Sequence, residues 1–178
     1  MRARRAKQDN TNLTADQIRR RVFARAIKLL AAKPRSISEL RERLRLGRFR
    51  NCEAEVESAI ERLKEYGYLD DERFAFGYAS LRVQQRPLGR NRLTRDLQLK
   101  KVKREVAEEA LDQVFRETPE ELLIDRAIEK RMRLRGRPKN RLEAKSLFNH
   151  LIRLGFGFEL VAEKVSGIIR AGDTTEID

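Results

Sequence analysis

An all-α fold of three tandem three-helix repeats, helix-turn-helix-like in character, is what this sequence predicts, and three observations carry the prediction. A Leu-x3-Leu pair recurs three times, each followed five residues on by an apolar residue: Leu40/Leu44/Phe49, Leu93/Leu97/Val102 and Leu147/Leu151/Phe156. The second leucines of successive pairs lie 53 and 54 residues apart, and Arg73 and Arg126 are also 53 apart, the steady offset expected of copies of one supersecondary unit. Lys33-Pro34, Arg86-Pro87 and Arg137-Pro138 then punctuate the three copies at the same place, because the residue before a proline avoids the α region. Runs of Val, Ile and Thr with period two are absent, so strands are not expected.

Taken in order, copy one predicts helices over about residues 15–33, 37–47 and 52–66. Copy two predicts them over about 71–86, 90–100 and 103–116, and copy three over about 119–135, 140–154 and 157–171. Thr14-x-x-Gln17, Ser36-x-x-Glu39 and Thr118-x-x-Glu121 have the form of capping boxes, the last with Pro119 at the first helical position. Asp70 and Asp71 open the first helix of copy two, where an Asp accepts an orphan backbone N–H and suits the positive end of the helix dipole. Phe74, Tyr78 and Leu81 follow at helical spacing and predict a buried stripe, with Phe76 off it; core is the expectation for most of the other aromatics as well. The Gly155-Phe156-Gly157 run reads as a helix C-cap. The repeats are bounded at 14–69, 70–117 and 118–171, with a disordered basic N-terminus over 1–13 and an acidic tail over 172–178.

Of the 178 residues 40% are hydrophobic and 39% charged, which suits thin cores between small helices better than one thick globule. The net charge of +13 points to polyanionic partners. The basic residues are 30 Arg and 11 Lys, and the planar guanidinium fork fits phosphate and carboxylate alike. Cys52 is alone, so neither an internal disulfide nor a thiolate zinc set can form. The N-terminal run lacks a signal-peptide pattern, and no stretch approaches the ~20 apolar residues of a membrane span. A cytoplasmic protein is expected.

Charge is sorted by helix. Residues 82–104 hold Arg82, Arg86, Arg90, Arg92, Arg95, Lys100, Lys101, Lys103 and Arg104 against the single acid Asp96. Residues 130–145 hold Lys130, Arg131, Arg133, Arg135, Arg137, Lys139, Arg141 and Lys145 against Glu143 alone. Acids gather instead at Glu53, Glu55, Glu57, Glu61, Glu65, Asp70, Asp71 and Glu72, and at Glu105, Glu108, Glu109 and Asp112. A merely solvated helix would interleave both signs at i,i+4, so the segregation predicts a basic binding stripe. Arg90 and Arg92 fall in a helix's first turn, against the dipole, which suggests that an external anion is met there.

Catalytic equipment is missing. There is no glycine-rich phosphate cradle ending in Lys-Ser/Thr. His150 is the sole histidine, so no histidine metal site or base–nucleophile pair can be assembled, and a surface or groove-edge position is expected for it. Glu53, Glu55 and Glu57 do not all share one helix face, so the three do not converge as nuclease metal ligands would. Neither an enzyme nor a cofactor is predicted.

The stretch from Tyr66 to Val102 carries one further signal. Tyr68 to Ala75 (YLDDERFA), followed by Tyr78, Arg82, Gly89 and Leu93-x3-Leu97, resembles the signature of the regulatory protein RecX family, small bacterial modulators of the RecA recombinase. The resemblance extends over roughly residues 22–170 and departs from the family pattern at two points. Lys100-Lys101 stands where a Lys-Gly step is usual, and in copy one Gly47 comes one position early, before Arg48. The resemblance implies an elongated, curved molecule that binds in the groove of the RecA–single-stranded DNA filament. It implies inhibition of filament growth, ATPase and recombinase functions, and so a role in regulating recombination, DNA repair and the SOS response. Contact with DNA, single-stranded first and double-stranded second, would accompany this, and a monomer is expected. The residues assigned to the filament and DNA interface are Arg82, Arg86, Arg90, Arg92, Arg95, Lys100, Lys101, Arg104, Arg131, Arg135, Arg137, Lys139 and Arg141. The alternative is a helix-turn-helix regulator without a recombinase partner, reading bases through Arg90, Asn91, Arg92 and Arg95.

Overall fold

The computed structural model describes residues 13–173. The basic N-terminal segment, but for Leu13, and the acidic tail beyond Asp173 lie outside the described residues. Among those described, nine α-helices and no strand are found, in three groups of three. The first group is α1 (Ala15–Ala32), α2 (Ile37–Arg45) and α3 (Glu53–Glu65). The second is α4 (Asp71–Gln85), α5 (Arg90–Leu99) and α6 (Arg104–Glu117), and the third α7 (Glu120–Arg135), α8 (Arg141–Leu154) and α9 (Phe158–Asp173). Each basic-proline step falls just past the end of α1, α4 or α7. All nine residues of the recurring Leu-x3-Leu-x4-apolar pattern are buried, so the period read from sequence marks one structural position repeated three times.

By its internal contacts the chain divides into two units. The first comprises residues up to Phe74 together with Lys100–Val102. Here α1, α2 and α3 pack on one another around Val22, Leu40, Leu44, Val56, Ile60 and Leu63, all fully buried. Thr14 and Gln17 close a reciprocal capping box, Gln17 N–H donating to the Thr14 hydroxyl at 3.3 Å and Thr14 N–H to the Gln17 carboxamide at 3.1 Å. Ser36 caps only one way. Its hydroxyl accepts from Glu39 N–H at 3.1 Å and donates to the Lys100 carbonyl, while the Glu39 carboxylate turns to the Lys100 ammonium at 3.0 Å. Asp70 caps α4, accepting from Glu72 and Arg73 N–H at 2.9 and 3.1 Å. Asp71 acts elsewhere: its carboxylate accepts from Ile37 N–H at 2.8 Å, at the start of α2.

The second unit comprises Ala75–Leu99 and Lys103 onward. Here α5 packs on α6, and α8 on both α7 and α9. Its core gathers Leu93, Leu97, Leu111, Leu123, Ile124, Leu151, Phe156 and Val161. Asn140 caps α8 by accepting from Glu143 N–H at 2.9 Å, and Gly155 ends it in the left-handed region at φ 94.

Four further sequence expectations are corrected. Helix α7 begins one residue later than the Thr118-x-x-Glu121 box requires: Pro119 is its N-cap, no side chain caps it, and Thr118 instead ends α6. The buried line of α4 is Ala75, Ala79 and Val83, one residue along from Phe74 and Tyr78, which are half-buried, while Leu81 is 53% exposed. One residue is a 100° rotation of a helix with 3.6 residues per turn. Only Phe49 and Phe156 among the aromatics are fully within the core, whereas Tyr66, Tyr68 and Phe158 are exposed. In the first group α2 stops at Arg45, and Gly47–Phe49 forms a 3-10 turn that seats Phe49.

Candidate nucleic-acid interface

The basic site of the second unit starts from two glycines. Gly89, just before α5, and Gly155, at the end of α8, meet backbone to backbone: Gly89 N–H donates to the Leu154 carbonyl and Asn91 N–H to the Gly155 carbonyl, both at 3.0 Å. A Cβ on Gly89 would collide with the backbone of Gly155 and Phe156, and one on Gly155 with the backbone of Arg92. Only glycine permits this approach. It fixes the turn that carries Arg86 beside the end of α8, which carries His150 and Arg153.

Helix α7 supplies the other wall. Arg131 donates from Nη2 to the Ser146 hydroxyl on α8 at 3.3 Å. Ser146 and His150 are four residues apart and share a helix face, as do Arg131 and Arg135. His150 is therefore half-buried among arginines. Burial first, then the charges of Arg131, Arg153, Arg135 and Arg86, hold its imidazole below the ordinary value of 6.5. At neutral pH the ring is uncharged within a group of four guanidinium cations. Arg86, Arg135 and Arg153 are exposed, and none of the four has an acidic partner among the described residues.

The other predicted cations are placed differently. Arg82 and Arg92 share the buried Asp96, at 3.4 and 3.0 Å. Arg90 pairs with Asp112, its guanidinium also lying 5.5 Å from the centre of the Phe115 ring. The backbone N–H of Arg90 donates to the Glu120 carboxylate at 2.8 Å. The anion expected at the start of α5 is thus supplied by the chain itself, which offsets the cost of Arg90 and Arg92 against the dipole. Burial raises the pKa of Glu120, and the bond from Arg90 N–H works against that rise. Lys100 and Lys101 belong to the first unit and pair there with Glu39 and Glu42. Arg104 pairs with Glu108 at 2.6 Å, Arg95 donates to the Asn91 carbonyl at 3.2 Å and Arg137 to the Ile168 carbonyl at 2.8 Å. Lys139 and Arg141 are exposed at the start of α8.

So Arg86, Arg131 and Arg135 are brought together, and sequence reasoning missed the two residues that complete the group, His150 and Arg153. The signal was available in the i, i+4, i+7 spacing of Ser146, His150 and Arg153 on one helix. Among the described residues no His, Cys, Asp and Glu cluster could hold a metal ion, and no helix is long and apolar enough to cross a membrane.

A family profile described as RecX, second three-helix domain, matches residues 70–111, the stretch from the Asp70 cap through α5 into α6. The Regulatory protein RecX of Treponema pallidum (strain Nichols) is 40% identical over 111 residues, 62% of this chain and 66% of that protein. The Regulatory protein RecX of Prosthecochloris aestuarii is 28% identical over 155 residues, covering 87% of this chain and 98% of its own length. The fold is shared with the crystal structure of RecX from Lactobacillus salivarius, at a TM-score of 0.73 and 18% identity over 89% of this chain and 99% of that one. With the repeated helical triplets, the YLDDERFA helix start and the Gly89 approach on the same chain, these similarities establish that the protein belongs to the RecX family of regulatory proteins.

Proposed function

We propose that this chain is a non-enzymatic cytoplasmic regulator, acting as a monomer, that binds the RecA–single-stranded DNA filament and inhibits its extension, ATPase and recombinase activities. One observation carries the reading beyond family membership: the cluster of Arg86, Arg131, Arg135 and Arg153, four guanidinium groups without acidic partners among the described residues, around a neutral imidazole. Planar forks of this kind bind phosphodiester oxygens in pairs, and gathering them costs self-repulsion that an arriving polyanion relieves. The helix-turn-helix alternative has less support, because Arg90 and Arg92 are engaged by acids and Arg95 by a backbone carbonyl.

The test is an order-of-addition assay with the RecA of the same cell. RecA is first assembled on single-stranded DNA at moderate salt, and this protein is then added well below the RecA concentration. The expected result is suppression of DNA-dependent ATP hydrolysis. Reversing Arg86, Arg131, Arg135 and Arg153 to Glu together should raise the half-inhibitory concentration at least about tenfold, with helical content unchanged by circular dichroism. Inhibition that appears only when this protein precedes RecA and exceeds the DNA sites would sink the filament reading in favour of plain DNA binding.

A further inference from the structure

We infer that the arginine cluster around His150 is a proton-coupled phosphate site, in which His150 takes up one proton as a DNA phosphodiester settles among the arginines, so that binding tightens as pH falls. The inference rests on the reading of this cluster as a DNA contact and adds its regulation.

The geometry supplies the coupling. His150 sits one turn from Ser146 on the face of α8 that Arg131 reaches at 3.3 Å, so the imidazole lies where a phosphate bridging α7 and α8 would place its oxygens. Arg135 extends that wall by one turn of α7, Arg153 stands three residues on from His150 along α8, and Arg86 comes from the turn fixed by the Gly89–Gly155 contact. Helix α9, the other element against α8, contributes none of the charges that act most strongly on the ring. In the free protein those cations oppose a further positive charge, and burial opposes it more. A diester anion reverses the balance: it screens the guanidinium groups and offers the imidazolium an acceptor. The ring nitrogen then takes a proton from solvent, and the complex carries one more proton than its separated parts.

The sign follows from linkage. A ligand that raises the pKa of a group binds more tightly below the raised value and loses that advantage above it. If the bound ring titrates one unit higher than the free ring, affinity well below both values exceeds that well above both by about tenfold.

The experiment exploits the single histidine of the chain. Its Hε1 proton resonance is followed by NMR from about pH 5 to 8.5, in the free protein and in protein saturated with oligothymidine, which has no group titrating in that range. Affinity for fluorescent oligothymidine is measured over the same range for wild type, His150→Gln and Glu120→Gln. The expected result is an upward displacement of the His150 midpoint on saturation, with affinity rising as pH falls in wild type and Glu120→Gln. His150→Gln should lose the pH slope, with its fold confirmed by circular dichroism. Binding with an unmoved His150 midpoint, or an undiminished slope in folded His150→Gln, overturns the inference and leaves the DNA contact standing. If His150→Gln fails to fold, the wild-type midpoint alone decides. Absence of oligothymidine binding at every pH overturns the DNA contact itself.

Discussion

Lys101 is the non-glycine residue with positive φ among those described, at 57, and it stands where the RecX pattern has a glycine. A side chain in the left-handed region costs roughly 1–2 kcal/mol, because Cβ crowds the following carbonyl. Its ammonium pairs with Glu42, but both side chains are about half exposed, and such pairs contribute only about 0–1 kcal/mol. The strain and the ion pair separate in two variants. Lys101→Gly and Lys101→Ala both remove the charge, but only the first removes the strain, so urea unfolding should place the Gly variant about 1 kcal/mol above the Ala variant. Equal stabilities would mean that the turn relaxes without cost. Titration is also local. Hydrogen bonding from Arg41, and to a lesser degree the charges of Arg41 and Arg45, hold Glu57 below its ordinary value of 4.5. A carboxylate with a depressed folded pKa contributes stability above its unfolded value and loses it as pH falls through the folded one. Glu57→Gln should therefore flatten the loss of stability on acidification below about pH 4.5, read from unfolding midpoints at successive pH values. Single-residue chemistry of this kind was partly legible: the Asp70 cap is local and was read, whereas Asp71 bonds Ile37, 34 residues away, and was not.

At the scale of the element, apolar periodicity, capping residues and proline punctuation placed the nine helices, because each acts within a few residues of chain. What they could not give was rotation. Phe74, Tyr78 and Leu81 outrank two alanines in hydrophobicity, so an intrinsic reading puts them inward, whereas the buried line of α4 follows Ala75, Ala79 and Val83. The Gly89–Gly155 contact was invisible as well, since it joins residues 66 apart through backbone groups that every residue possesses. Its consequence is testable. Gly89→Ala inserts a Cβ into the backbone of Gly155 and Phe156, neither of which is a flexible side chain that could swing aside. Overpacking of this sort costs roughly 1–3 kcal/mol, and the upper end is expected where the obstacle is backbone. Gly77→Ala, in α4, meets nothing and should be neutral or mildly stabilising through helix propensity. Urea midpoints of the two variants check the contrast, and a Gly89→Ala protein as stable as wild type would show that the approach can widen freely.

For the molecule as a whole, a net charge of +13 announces a polyanion partner but does not say which cations meet it. That is decided by tertiary pairing. Arg90, Arg92, Lys100, Lys101 and Arg104 look as available in sequence as Arg86, Arg131 and Arg135, yet acids hold the first five, one turn along the same helix for Arg92 and Arg104 and far along the chain for Arg90, Lys100 and Lys101. Salt dependence distinguishes the two sets, because a cation already paired with a carboxylate releases little counterion when DNA arrives. Each phosphate neutralised on a single strand contributes about −0.7 to the slope of log affinity against log salt. Reversing Arg86, Arg131, Arg135 and Arg153 to Glu should then shallow the slope for oligothymidine by roughly 2–3 and weaken binding most at low salt. The control reverses Lys101 and Arg104, two cations held by acids, and should leave the slope within about one contact of wild type. The measurement is fluorescence anisotropy from low to moderate salt, with circular dichroism to confirm that both variants keep their helices. A slope that changes equally per reversed residue in the two variants would mean that charge is sensed diffusely rather than at the His150 cluster, and the interface would have to be sought among the paired cations instead.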